Sequence, residues 1–467
     1  MTNRLNALDL EALELYMTLK NGFDDLAKVS GQYGNLVGVF FHDLMIHFSG
    51  ILLLREWKTD YGSDYQFPFV NLAYAIKPVS IDADCLQSKR AERLVKRLAK
   101  RYGLLDIAYG QAIVWAGPGA RIVGPAFNLL ARSAEETRLY LPHRTTQVEF
   151  LRSLILELCK KFDITNSDTL LKNWERHLDY HVTDSQKKLS PRRLIIGTRG
   201  ILQNRILAAN FLQQEKEVVA FTHGEISNAV FDEPFFGYSE KTLCSTLVDY
   251  GSYIEGGRWN RPLISPVKTI HRSSTFGENH YREETEIVSK ELSQARILYI
   301  PTLFSRNYVY GPFRSYSDGV YQNWQEELLQ KLPSARVKAH PKSRLSVGTK
   351  WPVQIETRQL EKCFKEYDIL VLDYFSTAMT MAMHSDKPIM YFDIGLRNMT
   401  GQFIGTVKER CSYMVIDLAE NLSDQIDDAL REYSVPNRVW SNTGLRKYSL
   451  NHQVAPGDRY HLKQIFS

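Results

Sequence analysis

Four short polar segments contain the side chains in this sequence that could do chemistry, and each follows an apolar run of strand length. They combine hydroxyl, imidazole, carboxylate and cationic groups, which proteins use to bind phosphates and to move protons. The four segments are residues 222–225, 302–306, 340–342 and 373–377. Because the carboxyl ends of parallel strands lie at one edge of a sheet, we expect the last three segments to converge.

The converging segments offer hydrogen-bond donors suited to an anionic ligand. Arg306 has a guanidinium group, His340 an imidazole and Lys342 an ammonium group, and each can neutralise a phosphate. Ser376 and Thr377 lie where a helix is predicted to begin, and a helix N-terminus also attracts phosphate. The alternative is that these hydroxyls only cap the helix, His340 only ends a strand and Arg306 lies on the surface. Convergence at one edge favours the phosphate site.

The segment at residues 222–225 lies earlier in the chain and offers a general base. His223 and Glu225 flank Gly224, which lets the backbone turn sharply after the preceding strand. A solvated turn residue is the alternative interpretation of Glu225. We expect His223 or Glu225 to take a proton from a substrate hydroxyl.

The elements that position these segments alternate regularly from about residue 295 to residue 433. Apolar runs predict strands at 297–300, 336–339, 369–372, 389–392 and 413–416. Helical patterns predict helices at 319–332, 360–366, 378–384 and 422–433. This alternation predicts a doubly wound parallel sheet. An earlier strand–helix–strand unit is predicted from strands at 194–197 and 218–221 around a helix at 201–214.

The rest of the chain is less regular. Helices are predicted at 6–29, 89–101 and 150–162, residues 226–275 are predicted to be rich in loops, and a charged helix at 278–292 could link two domains. The apolar stretch at 36–54 contains His42, Asp43 and His47, and so is interpreted as a buried segment rather than a membrane span. We expect an acceptor-side domain at 1–285 and a donor domain at 286–467, with a last segment that could cross back.

Composition narrows the classes of protein that fit. The chain has 467 residues, 44% of them hydrophobic and 24% charged, which is ordinary for a globular protein of two or three domains. A net charge of +5 suits an anionic ligand or membrane face and does not imply nucleic acid. The five cysteines are scattered, which argues against a disulfide framework or a zinc site and favours a reducing compartment. We predict a cytoplasmic protein, with peripheral association at the inner face of the membrane as an option, and no metal or cofactor.

Several common catalytic motifs are absent from the sequence. It has no Walker loop, no Gly-x-Gly-x-x-Gly after a strand, no His-Glu-x-x-His and no Gly-x-Ser-x-Gly. This argues against a nucleoside-triphosphate hydrolase, a dinucleotide oxidoreductase, a zinc protease of that class and an α/β-hydrolase.

The order of the remaining motifs resembles the donor half of bacterial surface-polysaccharide glycosyltransferases of GT-B architecture. The resemblance rests on the strand and turn at 297–302, His340-Pro341, the segment at 373–377 and the strand that begins with Lys387-Pro388-Ile389. The turn at 221–225 resembles the acceptor-domain His-Gly turn of the same enzymes, and the segment at 301–308 resembles one in other surface-carbohydrate transferases. The acidic-acidic-glycine motif of the sialyltransferases has only a loose counterpart at 317–319.

The resemblance implies two Rossmann-like domains that face each other across a cleft, and a metal-independent transferase. It implies transfer of a sugar, expected to be acidic, from a cytidine-activated donor to a glycan or lipid-linked glycan acceptor of capsule, O-antigen or lipopolysaccharide. Alternatives are a polyol-phosphate transferase of the CDP-glycerol type and a non-catalytic nucleotide- or sugar-binding partner in polysaccharide assembly. Together with the turns above, it gives as donor-binding residues Ser305, Arg306, His340, Pro341, Lys342, Asp373, Ser376 and Thr377, and as catalytic residues Glu225 and His223.

Overall fold

The computed structural model of the protein describes helices of the N-terminal part, a four-stranded and a five-stranded parallel sheet, and the helices around them. The described residues are 7–56, 138–165, 167–189, 193–196, 199, 202–222, 229, 241–251, 263–272, 281–301, 318–339, 353–397, 399–433 and 437–449. Helices in these ranges are α1 (Ala7–Ser30), α2 (Leu36–Glu56), α3 (Arg144–Lys161), α4 (Ser167–His181), α5 (Leu202–Leu212), α6 (Asp318–Lys331), α7 (Leu360–Cys363), α8 (Thr377–Met383), α9 (Gly401–Arg410), α10 (Leu422–Arg431) and α11 (Thr443–Ser449). Strands are β1 (Leu139–Tyr140), β2 (Val182–Thr183), β3 (Arg193–Ile196), β4 (Glu217–Phe221), β5 (Thr246–Tyr250), β6 (Lys268–Arg272), β7 (Glu284–Ile287), β8 (Ile297–Ile300), β9 (Ala335–Val337), β10 (Ile369–Leu372), β11 (Ile389–Asp393), β12 (Ser412–Val415) and β13 (Arg438–Ser441). The helix predicted at 89–101 lies outside the described residues.

Helix α2 is apolar on nearly every side and is covered by other helices. Its Phe40, Leu44 and Phe48 are fully buried, and the helix packs against α1, α3 and α5. A helix that is apolar all round is stable in water only when it is buried on all sides. The prediction of a buried segment at 36–54 is therefore confirmed over residues 36–52, whose burial the structure describes. No helix in the described part of the chain combines the length and the hydropathy that a membrane span requires.

A parallel sheet of four strands follows this helical layer, in the order β3-β4-β5-β6. The predicted strand–helix–strand unit is confirmed, because β3 and β4 pair in parallel around α5. Residues 226–275, which are predicted to be rich in loops, also contain the strands β5 and β6. Both strands carry charged residues, with Asp249 buried inside β5 and Lys268 exposed on β6, and so neither shows the apolar run of a buried strand.

The C-terminal half contains a parallel sheet of five strands in the order β12-β11-β10-β8-β9. Successive strand residues alternate between two apolar clusters, one on each face of the sheet. For example, Leu298 and Leu370 belong to one cluster, while Tyr299 and Val371 belong to the other. Residues from α7, α8, α9 and α11 pack in the first cluster, and residues from α6 and α10 pack in the second. The fold is mixed α/β with parallel sheets, as predicted.

The strand order of this sheet fixes where a ligand would bind. In chain order the five strands lie in the arrangement 2-1-3-4-5, so the direction of winding reverses between β8 and β10. Ligands of open α/β sheets bind outside the carboxyl ends of the strands at such a switch point. The segment at 373–377 follows β10 directly and therefore begins at this point.

The charged helix predicted at 278–292 is wrong. Residues 284–287 form β7, which pairs antiparallel with β13 near the C-terminal end of the described chain. Within β7, Thr285 and Ile287 are buried and Glu284 and Glu286 are exposed, which is the period of a half-buried strand. The predicted domain boundary at 285 falls inside this strand, and the division into two domains remains a prediction.

Candidate active site

The turn after β10 has the local structure that the sequence predicts. Ser376 is the N-cap of α8, and its side-chain oxygen accepts a hydrogen bond of 3.2 Å from the backbone N–H of Ala378. Thr377 begins the helix and is exposed. A serine at this position satisfies one of the free N–H groups of the first turn. The capping role of Ser376 is thus confirmed, while contact of either hydroxyl with a donor remains a prediction.

Asp373 is buried at the same turn and joins three elements. Its Oδ2 accepts a hydrogen bond from the Tyr299 hydroxyl on β8. The same oxygen accepts one of 3.0 Å from Nε1 of Trp324 on α6. Burial, and then the Asp373 carboxylate, raise the pKa of Tyr299 well above its usual range, so the hydroxyl remains a donor. Asp373 is 1% exposed, which favours a role in positioning the strands at the switch point over direct contact with a donor.

Arg397 adds a cation to this edge of the sheet. It lies in the turn after β11, and one of its Nη atoms donates a hydrogen bond to the Tyr374 hydroxyl. Its guanidinium carbon lies 4.9 Å from the centre of the Tyr374 ring. Tyr374 lies between Asp373 and Ser376 in the turn after β10, so the guanidinium group of Arg397 contacts the turn that contains Ser376. Guanidinium groups are well suited to phosphate.

Arg397 is not among the candidates that the sequence indicates, because the turn after β11 is not one of the four polar segments. The signal was present, since an arginine follows the predicted strand at 389–392 after a short turn that contains Gly395. The positive φ of Gly395, 78°, reverses the chain there. A rule that examined the turn after every predicted strand would have found this residue.

The other side of the same edge is occupied by a tyrosine and an aspartate. The Tyr413 hydroxyl on β12 donates to Oδ2 of Asp393 at the end of β11. Lys408 lies with its ammonium nitrogen 5.2 Å from the centre of the Tyr413 ring. Burial and the nearby Asp393 carboxylate raise the pKa of Tyr413. This pair fixes β12 against β11.

The remaining predicted site residues lie outside the described residues. They are His223, Glu225, Ser305, Arg306, His340, Pro341 and Lys342. Strands β8, β9 and β10, which precede the three segments predicted to converge, do end at one edge of the sheet. Ile300 of β8 pairs with Leu372 of β10, and Tyr299 of β8 pairs with Val337 of β9. The site roles of these residues remain predictions.

The chain after β4 reaches the C-terminal sheet. Ala229 is fully buried in the cluster that contains Phe403, and its carbonyl oxygen accepts a hydrogen bond of 2.8 Å from the backbone N–H of Thr400. Ala229 follows the 223–225 turn closely in sequence, and Thr400 follows Arg397 closely. Ala229, which follows β4 in the chain, is therefore hydrogen-bonded to the segment that follows Arg397.

A second contact joins the carboxyl end of β5 to helix α11. Gly251 follows β5 with φ of 74°. A Cβ atom at Gly251 would lie 2.5 Å from the carbonyl oxygen of Lys447 and 2.6 Å from that of Tyr448. Helix α11 packs on the five-stranded sheet through Leu445 and Tyr448.

Comparisons with protein-family models, with curated proteins and with solved structures found no match to this chain.

Proposed function

We propose that this protein is a glycosyltransferase of GT-B-like organisation that moves an acidic sugar from a cytidine-activated donor to a glycan acceptor in surface-polysaccharide synthesis. The donor binds at the carboxyl edge of the five-stranded sheet, and the acceptor binds at the carboxyl edge of the four-stranded sheet. The observation that supports the proposal is the hydrogen bond between Ala229 and Thr400, which joins the chain after β4 to the segment after Arg397 on the five-stranded sheet. A transfer reaction needs its two substrates to be held face to face in this way.

The chemistry follows from the groups at the two edges. Arg397, with Arg306, His340 and Lys342, supplies positive charge to the donor phosphate and stabilises it as it leaves. His223 or Glu225 takes the proton of the acceptor hydroxyl. Neutralisation by side chains supports a mechanism that needs no metal ion.

Nucleotide binding provides the first test. Thermal unfolding is followed with CMP, CDP, UMP, UDP and GDP, because a ligand that binds only the folded state stabilises it by about 2.7 kcal/mol at one hundred times its Kd. We expect CMP or CDP to raise Tm most, and Arg397→Gln to weaken that binding at least tenfold. Arg431→Gln is the matched control, since Arg431 is an exposed arginine on α10. Absence of any cytidine-nucleotide effect would contradict the proposal.

Turnover then separates the possible donors. CMP-Kdo, CMP-sialic acid and CDP-glycerol are each incubated with the protein, and release of free nucleotide is measured. Turnover of a CMP-sugar supports the proposed transferase, and turnover of CDP-glycerol alone indicates the polyol-phosphate type. Tight cytidine-nucleotide binding with no release from any donor indicates a non-catalytic binding partner.

A further inference from the structure

Three polar side chains lie in a row across the four-stranded sheet at its carboxyl end. Asp249 on β5 pairs in register with His271 on β6. Phe221 of β4 pairs with Val248, so Thr222 is the neighbour of Asp249 on the other side. Adjacent strands are about 4.8 Å apart and residues in register point to the same face. Thr222, Asp249 and His271 therefore form a continuous polar row.

Asp249 is held firmly in the middle of this row. Its Oδ1 accepts a hydrogen bond of 2.9 Å from the Thr222 hydroxyl, and its Oδ2 lies 3.7 Å from Nζ of Lys241. The residue is 3% exposed, so its carboxylate is not available to a substrate. His271 is only partly buried, whereas Thr222 and Asp249 are buried, so His271 is the most exposed member of the row.

The charges around His271 suit a proton acceptor. Burial lowers the pKa of its imidazole, Asp249 raises it and Lys241 lowers it, and the net direction is downward. The imidazole is thus neutral near pH 7 and able to take a proton. Asp249 stabilises the imidazolium that would form, as a buried carboxylate does beside a histidine base.

This end of the sheet also lies close to the C-terminal half. Gly251 is two residues beyond Asp249, and it meets the backbone of Lys447 and Tyr448 on α11. At about 3.3 Å per residue, the row is roughly 7 Å from that contact. Helix α11 in turn packs on the five-stranded sheet through Leu445 and Tyr448, so an acceptor beside His271 would lie near the contact between the two sheets.

The geometry points to His271, in place of His223 or Glu225, as the general base of the transfer reaction, with Asp249 as its positioning residue; in all other respects this inference rests on the proposed function. The acceptor hydroxyl gives its proton to the His271 imidazole, and its oxygen forms the bond to the anomeric carbon of the donor. The bond from that carbon to the phosphate oxygen breaks, and CMP leaves with the electron pair. The imidazolium returns its proton to water after product release.

Substitution of the base is the direct test. We expect His271→Gln to lower transfer from the CMP-sugar at least 100-fold, within the range of 10²–10⁴ known for a general base, with CMP binding unchanged. His143→Asn, an exposed histidine far from either sheet edge in sequence, is the control. His223→Gln and Glu225→Gln are measured in parallel. Full activity of His271→Gln together with loss in either parallel variant overturns the assignment.

The role of Asp249 is tested by the pKa of His271 together with the pH profile of kcat/KM. The pKa of His271 is measured by NMR titration of labelled imidazole in the wild type and in Asp249→Asn. Loss of the carboxylate is expected to lower this pKa and to move the acidic limb of the kcat/KM profile to lower pH by the same amount. An unchanged pKa overturns the coupling. No CMP binding by the wild type overturns the proposed function and this inference together, whereas CMP binding and full turnover by His271→Gln overturn only the inference.

Discussion

Asp373 shows how one buried side chain organises the donor edge. Its carboxylate receives hydrogen bonds from Tyr299 on β8 and from Trp324 on α6, and these elements flank the reversal of strand order. Buried donors that lose their acceptor keep their full desolvation cost. The sequence alone marks Asp373 as a polar residue after a strand, but it cannot show that its partners lie so far away in the chain.

We predict that substitution of Asp373 lowers stability without a matching change in nucleotide affinity. Asp373→Asn keeps an oxygen acceptor and should cost about 1–2 kcal/mol, whereas Asp373→Ala leaves two buried donors unpaired and should cost about 2–4 kcal/mol. Urea denaturation gives the free energy of unfolding, and calorimetry at 10 °C gives the affinity for CMP. Reduced affinity with unchanged stability would instead place the carboxylate against the donor.

Part of the candidate site was predictable from the sequence and part was not. Ser376 was predictable as an N-cap, because a serine and a threonine precede a run of good helix formers. Arg397 could have been found from its position after a strand. The row of Thr222, Asp249 and His271 was not predictable, because it depends on the register of two strands that the pattern did not reveal.

Secondary-structure elements were predictable where burial imposes a clear pattern. The strands β8, β10 and β11 are buried on both faces, and their apolar runs predict them closely. Helix α4 was missed although its buried face is regular, because that face contains His177 and His181 among apolar residues. Strands β7 and β13 were missed because they stabilise each other across a long separation in sequence.

Substitution of Gly251 tests the contact between β5 and α11. We predict that Gly251→Ala costs more than the conformational penalty of about 1–2 kcal/mol for a left-handed residue, because the added Cβ would meet the backbone of Lys447 and Tyr448. Gly395→Ala is the matched control: Gly395 has φ of 78° and no atom within 4 Å of the added Cβ. The free energy of unfolding in urea measures both, and equal losses would contradict the close approach.

At the scale of the whole molecule, the helical region contains four buried histidines. His42 and His47 lie on α2, and His177 and His181 lie on α4. The rings of His177 and His181 have centres 4.6 Å apart, and Nδ1 of His47 accepts a hydrogen bond of 3.1 Å from Nε1 of Trp174. The described residues contain no group of three or more side chains placed to hold a metal ion. All four histidines are buried beside the apolar residues of the helical core.

Burial makes these four residues poor bases in the folded protein. It lowers the pKa of His47 to about 3, and those of His177 and His181 to about 4. It also lowers the pKa of His42 well below its usual range, and Arg205 adds to this effect. Burial raises the pKa of Asp43, which pairs with Arg205. This shift changes the pH dependence of stability in the opposite direction, but it comes from a single group, whereas four histidines are shifted.

We predict that the protein loses stability steeply in mild acid. Above pH about 6.5 the histidines are neutral in both the folded and the unfolded state and do not reduce the free energy of unfolding. Between pH about 6.5 and 4 the unfolded chain binds protons that the folded chain cannot. Each histidine then lowers the free energy of unfolding by about 1.4 kcal/mol per pH unit. His177→Gln should reduce this slope by about that amount in urea denaturation at a series of pH values, whatever its effect at neutral pH. The control His143→Asn removes an exposed histidine and should keep the wild-type slope. A slope that is the same in wild type and His177→Gln would mean that His177 can be protonated without unfolding, so that the helices around it open to water in the folded state.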